Sequence, residues 1–106
     1  MVHHLCLWRL KEQITAEKIE WMMVETRIRL LKLPEVSNLR VGKRIDVAHN
    51  PHAVFYAFDV ESLEKLHFVQ DSAIFIQFQR QVAEPLVAES TLMNYEMEPG
   101  KDITYS

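Results

Sequence analysis

The chain has 106 residues, 48% of them hydrophobic and 25% charged, which is typical of one globular domain. The net charge is −3 and the sequence shows no basic stripe for a phosphate backbone, so no nucleic-acid partner is expected. The single cysteine, Cys6, excludes an intrachain disulfide. The first residues lack a signal-peptide pattern, and no apolar run approaches the roughly 20 residues of a membrane span. We therefore expect a cytoplasmic protein with no membrane partner.

Hydrophobic periodicity predicts secondary-structure elements in the order β-α-β-β-α-β. The predicted strands cover residues 2–10, 36–45, 53–61 and 90–98, and the first helix covers about 16–32. The second helical region starts after Ser62, breaks near Ser72 and stops at Pro85. This order is that of the ferredoxin-like split βαβ fold, an α+β class with a four-stranded antiparallel sheet.

Residues 1–98 are assigned to this domain, and residues 99–106 to a polar C-terminal tail. The tail contains Ile103 and Tyr105, which could hold it against a neighbour.

The first and third predicted strands carry apolar residues at both odd and even positions. A strand that is apolar on both sides lies at the centre of a sheet that is covered on both faces. Two helices cover only one face of a four-stranded sheet, so a second copy is expected to cover the other. The sequence therefore predicts a homodimer joined through one face of the sheet.

The space between the two sheets is a candidate site for a small apolar ligand. Trp8, Tyr56, Phe58, Phe75 and Arg40 are the candidate lining residues, because aromatic walls with one cation suit a carboxylate or enolate. The alternative is that the aromatic side chains fill the seam between the subunits and leave no cavity.

His4 is the candidate general base or ligand anchor. It shares the parity of Cys6 and Trp8, and Asn94 lies on the fourth strand, which pairs with the first in this topology. The alternative is a hydrogen-bonded histidine in the core. We expect His3 either to point to the opposite face or to fray with the chain terminus.

No metal or other cofactor is expected. His49 and His52 lie three residues apart in a turn, but no third ligand is close in the sequence. The chain contains only two glycines, which argues against a glycine-rich phosphate-binding loop.

Four segments, in order and spacing, resemble the stress-responsive A/B barrel (Dabb) family. They are MVHHLCLWRLKEQITAEKIE for the first strand and helix, VSNLRVGKRI for the second strand, FDVESLEKLHFV for the third strand and following helix, and VAEPLVAESTLMNYE for the closing strand. The resemblance covers residues 1–98 and implies a dimeric α/β barrel, in which two ferredoxin-like sheets face each other.

The resemblance implies no single activity, since most members have none established. A plant branch cyclises polyketides with a histidine in an H-P-x-H motif on the second helix and a tyrosine three residues before the motif. Here Phe75 stands at the histidine position and Val69 at the tyrosine position. His4 and Asn94 remain, although an asparagine cannot supply the charge that raises the basicity of a histidine.

These replacements favour a binding or stress-associated protein without catalysis. The alternative is a small enzyme, cyclase-like or isomerase-like, that acts on a carbonyl or polyketide-like substrate with His4 as base.

Overall fold

The computed structural model describes residues 1–98, and its elements follow the predicted order. They are β1 (Val2–Leu10), α1 (Ala16–Leu30), β2 (Ser37–Lys43), β3 (Val54–Val60), α2 (Leu63–Asp71), α3 (Ala73–Phe78), a π-helical turn (Gln79–Ala83) and β4 (Val87–Glu96). The ferredoxin-like α+β prediction is confirmed. β4 begins three residues earlier than predicted, because the long β1 continues to pair with it as far as Val87. The predicted tail at 99–106 lies outside the described residues.

Side-chain caps explain where the helices begin. The hydroxyl oxygens of Thr15 and Ser62 accept hydrogen bonds from backbone N–H groups in the first turns of α1 and α2. Ser72 has an extended backbone between α2 and α3; its Oγ accepts from the Phe75 N–H at 3.2 Å and donates to the Val69 carbonyl at 2.6 Å. The predicted break in the second helical region is therefore the point at which α2 ends and Ser72 caps the start of α3.

The four strands form one antiparallel sheet in the order β2-β3-β1-β4. The two strands that are apolar on both sides, β1 and β3, are the central pair, as predicted. Their even-numbered side chains face the helices. Those between His4 and Trp8 on β1 and those of β3 each keep 1% or less of their surface exposed, whereas Val2 and Leu10 at the ends of β1 are half-buried. We call this side the helix face; it carries His4, Cys6, Trp8, Val54, Tyr56, Phe58 and Val60.

The opposite side of the sheet, which we call the open face, carries the odd-numbered side chains of β1 and β3. They are His3, Leu5, Leu7, Arg9, Phe55, Ala57 and Asp59. The buried side chains of the helices, among them Met22, Leu30, Leu66 and Phe78, form the core with the helix face.

No helix within residues 1–98 is long and apolar enough to cross a membrane.

Candidate functional site

His4 lies on the helix face near the start of β1, and its side chain is fully buried. The strand register places it opposite Asn94 on β4. The distance between His4 Nδ1 and Asn94 Oδ1 is 2.6 Å, a short hydrogen bond. The structure therefore brings together the two residues that the sequence singled out as candidates.

The bond to Asn94 determines which nitrogen of His4 carries the proton. An amide oxygen only accepts, so Nδ1 is the donor and Nε2 keeps a lone pair. Nε2 is buried and has no hydrogen-bond partner within residues 1–98. Burial lowers the pKa of His4, and the bond to Asn94 offsets only part of this effect. At neutral pH His4 is thus a neutral imidazole with a free acceptor inside the protein.

Two hydrogen-bond donors share this interior with His4. The Tyr56 hydroxyl and the Trp8 indole N–H are buried, and among the described residues neither has a partner in full hydrogen-bond geometry, although the Cys6 thiol lies beside the Tyr56 hydroxyl. The ring centroid of Tyr56 lies 5.8 Å from that of His4 and 5.2 Å from that of Trp8. Burial raises the pKa of Tyr56 well above its ordinary value, so its hydroxyl stays protonated. Unpartnered buried polar atoms are rare in proteins, which makes this group a candidate for ligand contact.

Aromatic side chains occupy the space beside these polar atoms. The ring centroid of Phe58 lies 5.0 Å from that of His4, and Phe78 lies 5.8 Å from Trp8. Phe75 lies 5.6 Å from Phe78 and is itself buried. Any ligand that reached His4 would have to displace these rings.

The thiol of Cys6 shares the same interior. Burial raises the pKa of Cys6 to about 12, so the sulfur stays protonated and is a poor nucleophile.

The predicted orientation of Trp8, Tyr56 and Phe58 toward a second sheet is wrong. All three point at the helices of the same chain and are fully buried there. Arg40 is opposite Ala57 in the register, so it lies on the open face and cannot line one cavity with them. Parity shows which residues share a face, but with both faces apolar it does not show which face the helices cover.

The centre of the open face is apolar. Leu5, Leu7 and Phe55 are half-buried there, and they do not pack against the core within residues 1–98. The Phe55 ring lies against Gly42 of β2, since a Cβ added at Gly42 would come within 2.5 Å of the ring atom Cε1. Only a glycine leaves room for this close approach.

A polar cluster, which the sequence analysis missed, lies at one end of the open face. Asp59 Oδ1 accepts a hydrogen bond from His3 Nδ1 at 2.7 Å, and Oδ2 accepts one from Asn38 Nδ2 at 2.9 Å. Asn38 has a left-handed φ of 51° beside a register shift between Ser37 and Arg40. Partial burial raises the pKa of Asp59, but the hydrogen bonds from Asn38 and His3 and the charges of His3 and Arg40 bring it below its ordinary value.

One signal in the sequence could have pointed to this cluster. Asp59 is a carboxylate in a predicted central strand, AVFYAFDVE, and acidic side chains are seldom buried without a partner. The register shift that brings Asn38 beside it has no comparable signal in the sequence.

The histidines of the loop after β2 make no metal site. His49 Nδ1 lies 2.7 Å from Asp46 Oδ2, and both side chains are exposed. Within residues 1–98, no group of three His, Cys, Asp or Glu side chains could hold a metal ion.

The strand order, with the helices on one face, defines a ferredoxin-like α+β domain. The model of the Stress Responsive A/B Barrel Domain, Dabb, matches residues 2–97. The chain belongs to this family, which confirms the resemblance found in its sequence. No curated protein matches the sequence at a significant level.

Solved structures share this fold at low sequence identity. A dimeric ferredoxin-like protein of unknown function from Thermobifida fusca is 16% identical, with a TM-score of 0.80 over 91% of this chain and 90% of that chain. A Dabb family protein from Mesorhizobium loti is 13% identical, with a TM-score of 0.80 over 92% and 96%. The hydroxynitrile lyase of Passiflora edulis is 16% identical, with a TM-score of 0.79 over 95% and 96%.

Proposed function

We propose that this chain acts as a homodimer in which two open faces meet, and that a small apolar molecule binds between the two sheets without catalysis at His4. The open face carries this proposal. Leu5, Leu7 and Phe55 form an apolar surface at the centre of the sheet, and no helix within residues 1–98 packs on them. A contiguous apolar surface of this kind typically marks an interaction site.

A second copy of the same sheet is the occupant that fits this surface. A two-fold dimer places the same patch of each subunit against the other, so the two apolar centres face each other across the space between the sheets. A stable interface needs roughly 800 Å² per subunit, which is within reach of one face of a four-stranded sheet. The dimeric state of the Thermobifida fusca protein with the same fold supports this arrangement.

Analytical ultracentrifugation tests the dimer. We expect a species of twice the 12.5 kDa chain mass at micromolar concentration. Leu5→Glu places a charge in the centre of the open face and should give a folded species of 12.5 kDa. Phe68→Glu is the matched control, because Phe68 is 63% exposed on α2, and it should stay dimeric. A wild-type chain that sediments only as a monomer would refute the dimer.

NMR with an apolar probe tests where the ligand binds. Addition of indole should shift the backbone amide signals of Leu5, Leu7 and Phe55 in ¹H–¹⁵N spectra and leave those of α1 unchanged. Shifts confined to residues of the helix face would contradict binding between the sheets.

The cytoplasmic location and the absence of nucleic-acid and membrane partners stay predictions from composition.

One observation favours a second candidate function, an enzyme with His4 as base. His4 Nε2 is a free acceptor among the described residues, and the buried Tyr56 hydroxyl is a donor in the same interior. For a cyanohydrin, Nε2 would take the hydroxyl proton, Tyr56 would donate to that oxygen, and the carbon–carbon bond would break to give a carbonyl compound and cyanide. The hydroxynitrile lyase of Passiflora edulis shares the fold.

Cyanide release from mandelonitrile measures this second function. If this second function is correct, the wild type should release cyanide faster than buffer alone, and His4→Gln should not. His67→Gln is the control and should keep the activity, since His67 is exposed on α2. Equal rates in the wild type and in His4→Gln would remove His4 as a base for this reaction.

A further inference from the structure

We propose that His3, oriented by Asp59 and Asn38 and assisted by Arg40, is a proton-accepting site on the open face for weak acids with an apolar body, such as phenols and enols. The inference deepens the proposed ligand binding and rests on it, because the second sheet is what would enclose the ligand.

The bond between His3 and Asp59 leaves a free acceptor on the open side. Nδ1 of His3 donates to the carboxylate at 2.7 Å, so Nε2 keeps a lone pair. The His3 side chain is 32% exposed, whereas that of Asp59 is 14% exposed. The imidazole is therefore accessible from the open face, while the carboxylate that orients it is sheltered.

Asn38 holds the carboxylate from its other side. Its amide donates to Asp59 Oδ2 at 2.9 Å, so both oxygens of Asp59 are anchored by different side chains. The left-handed backbone of Asn38 and the adjacent register shift produce this contact. Bulges on edge strands commonly re-aim side chains next to functional sites. A fixed carboxylate holds the imidazole in one tautomer and stabilises it when it becomes charged.

Arg40 supplies a positive charge for the product of proton transfer. It is exposed, it forms no ion pair within 4.0 Å among the described residues, and its charge acts on Asp59 from the neighbouring strand. A bound phenol or enol would pass its O–H proton to His3 Nε2, and the electron pair of that bond would stay on the oxygen. The resulting oxyanion faces Arg40 and the imidazolium, which is paired with Asp59, so the step needs no further reactant.

The surroundings of the cluster suit an apolar ligand body. Leu5 and Ala57 continue the open face from His3 and Asp59, and Tyr95 of β4 lies opposite His3 in the register. The site therefore combines one polar end with an apolar floor, as ligand pockets typically do.

The probe for this site is 4-nitrophenol, whose anion absorbs visible light whereas the neutral phenol does not. At a fixed pH below the pKa of the free phenol, the wild-type protein should increase the phenolate absorbance in a saturable way. His3→Gln should abolish the increase, and Asp59→Asn and Arg40→Gln should each weaken phenolate binding about tenfold, the effect expected for one lost charge-assisted interaction. His67→Gln should bind like the wild type.

Sedimentation of the same samples separates the possible failures. A dimer with no phenolate signal, or with a signal that survives in His3→Gln, overturns this inference and leaves the dimer standing. A signal lost in His4→Gln but kept in His3→Gln moves the site to the core, which also overturns it. A monomeric wild type without a signal refutes the dimer and the enclosed site together. Circular dichroism of each variant confirms that the fold is intact.

Discussion

His3 and His4 are neighbours in the sequence, yet they have opposite surroundings in the sheet. His4 is fully buried beneath aromatic rings and bonds to a neutral amide at 2.6 Å. His3 is 32% exposed and bonds to a carboxylate at 2.7 Å. Alternation along β1 is the cause, because successive side chains point to opposite sides of a strand. The helix face therefore holds a buried histidine with a lowered pKa beside a neutral amide, and the open face holds an accessible histidine beside a carboxylate.

The aromatic residues of β3 repeat this contrast. Phe58 on the helix face is fully buried and belongs to the core cluster. Phe55 on the open face is half-buried and lies over Gly42, outside that cluster. Changes on the helix face should therefore act on stability, and changes on the open face on assembly and binding.

Phe58→Ala should have the largest effect on stability. Removing a fully buried ring leaves a cavity, and we expect the free energy of unfolding to fall by about 3–5 kcal/mol. Urea denaturation followed by circular dichroism measures this change. Phe68→Ala on the exposed side of α2 is the control and should change stability by no more than about 0.5 kcal/mol. Equal losses of stability in the two variants would contradict the assignment of Phe58 to the core and of Phe68 to the surface.

The pH dependence of stability should report the buried His4. Its pKa is lowered from the ordinary value of 6.5 in the folded chain, so the unfolded chain binds the proton more readily. Above pH 6.5 the protonation of His4 does not reduce the free energy of unfolding. As the pH falls from 6.5 toward the lowered pKa, proton uptake by the unfolded chain reduces the free energy of unfolding by at most about 1.4 kcal/mol per pH unit. Denaturation curves between pH 7 and 5 should show this slope in the wild type and in His67→Gln. The slope should flatten in His4→Gln, and an unchanged slope there would contradict a neutral His4.

Asp59→Asn should have the smallest effect on the free energy of unfolding. The pKa of Asp59 is lowered in the folded chain, so the stability from its hydrogen bonds is present above the ordinary value of 3.8 and is lost as the pH falls through the lowered pKa. Because the pair is partly exposed, we expect a difference of about 0.2–1 kcal/mol from the wild type at pH 6, shrinking below pH 4. Asp71→Asn, on the exposed end of α2, is the matched control. A loss of several kcal/mol in Asp59→Asn would make the cluster a core element of the fold.

Local chemistry in the sequence was sufficient to predict the elements. The serine caps at Ser62 and Ser72 and the alternation in β1 and β3 depend on contacts between near neighbours along the chain, which spacing alone reveals. The pairing of His4 with Asn94 also followed, because the β-α-β-β-α-β order places the first and last strands side by side.

Only the tertiary structure decided which face of the sheet the helices cover. Both sides of β1 and β3 are apolar, so periodicity alone was compatible with either arrangement, and the orientation of Tyr56 and Phe58 was assigned to the wrong side. The cluster of His3, Asn38 and Asp59 joins three strands through a register shift, and a shift of this kind is set by long-range pairing. The sequence alone therefore determined a two-faced sheet with His3 and His4 on opposite sides, and long-range packing determined which histidine is buried.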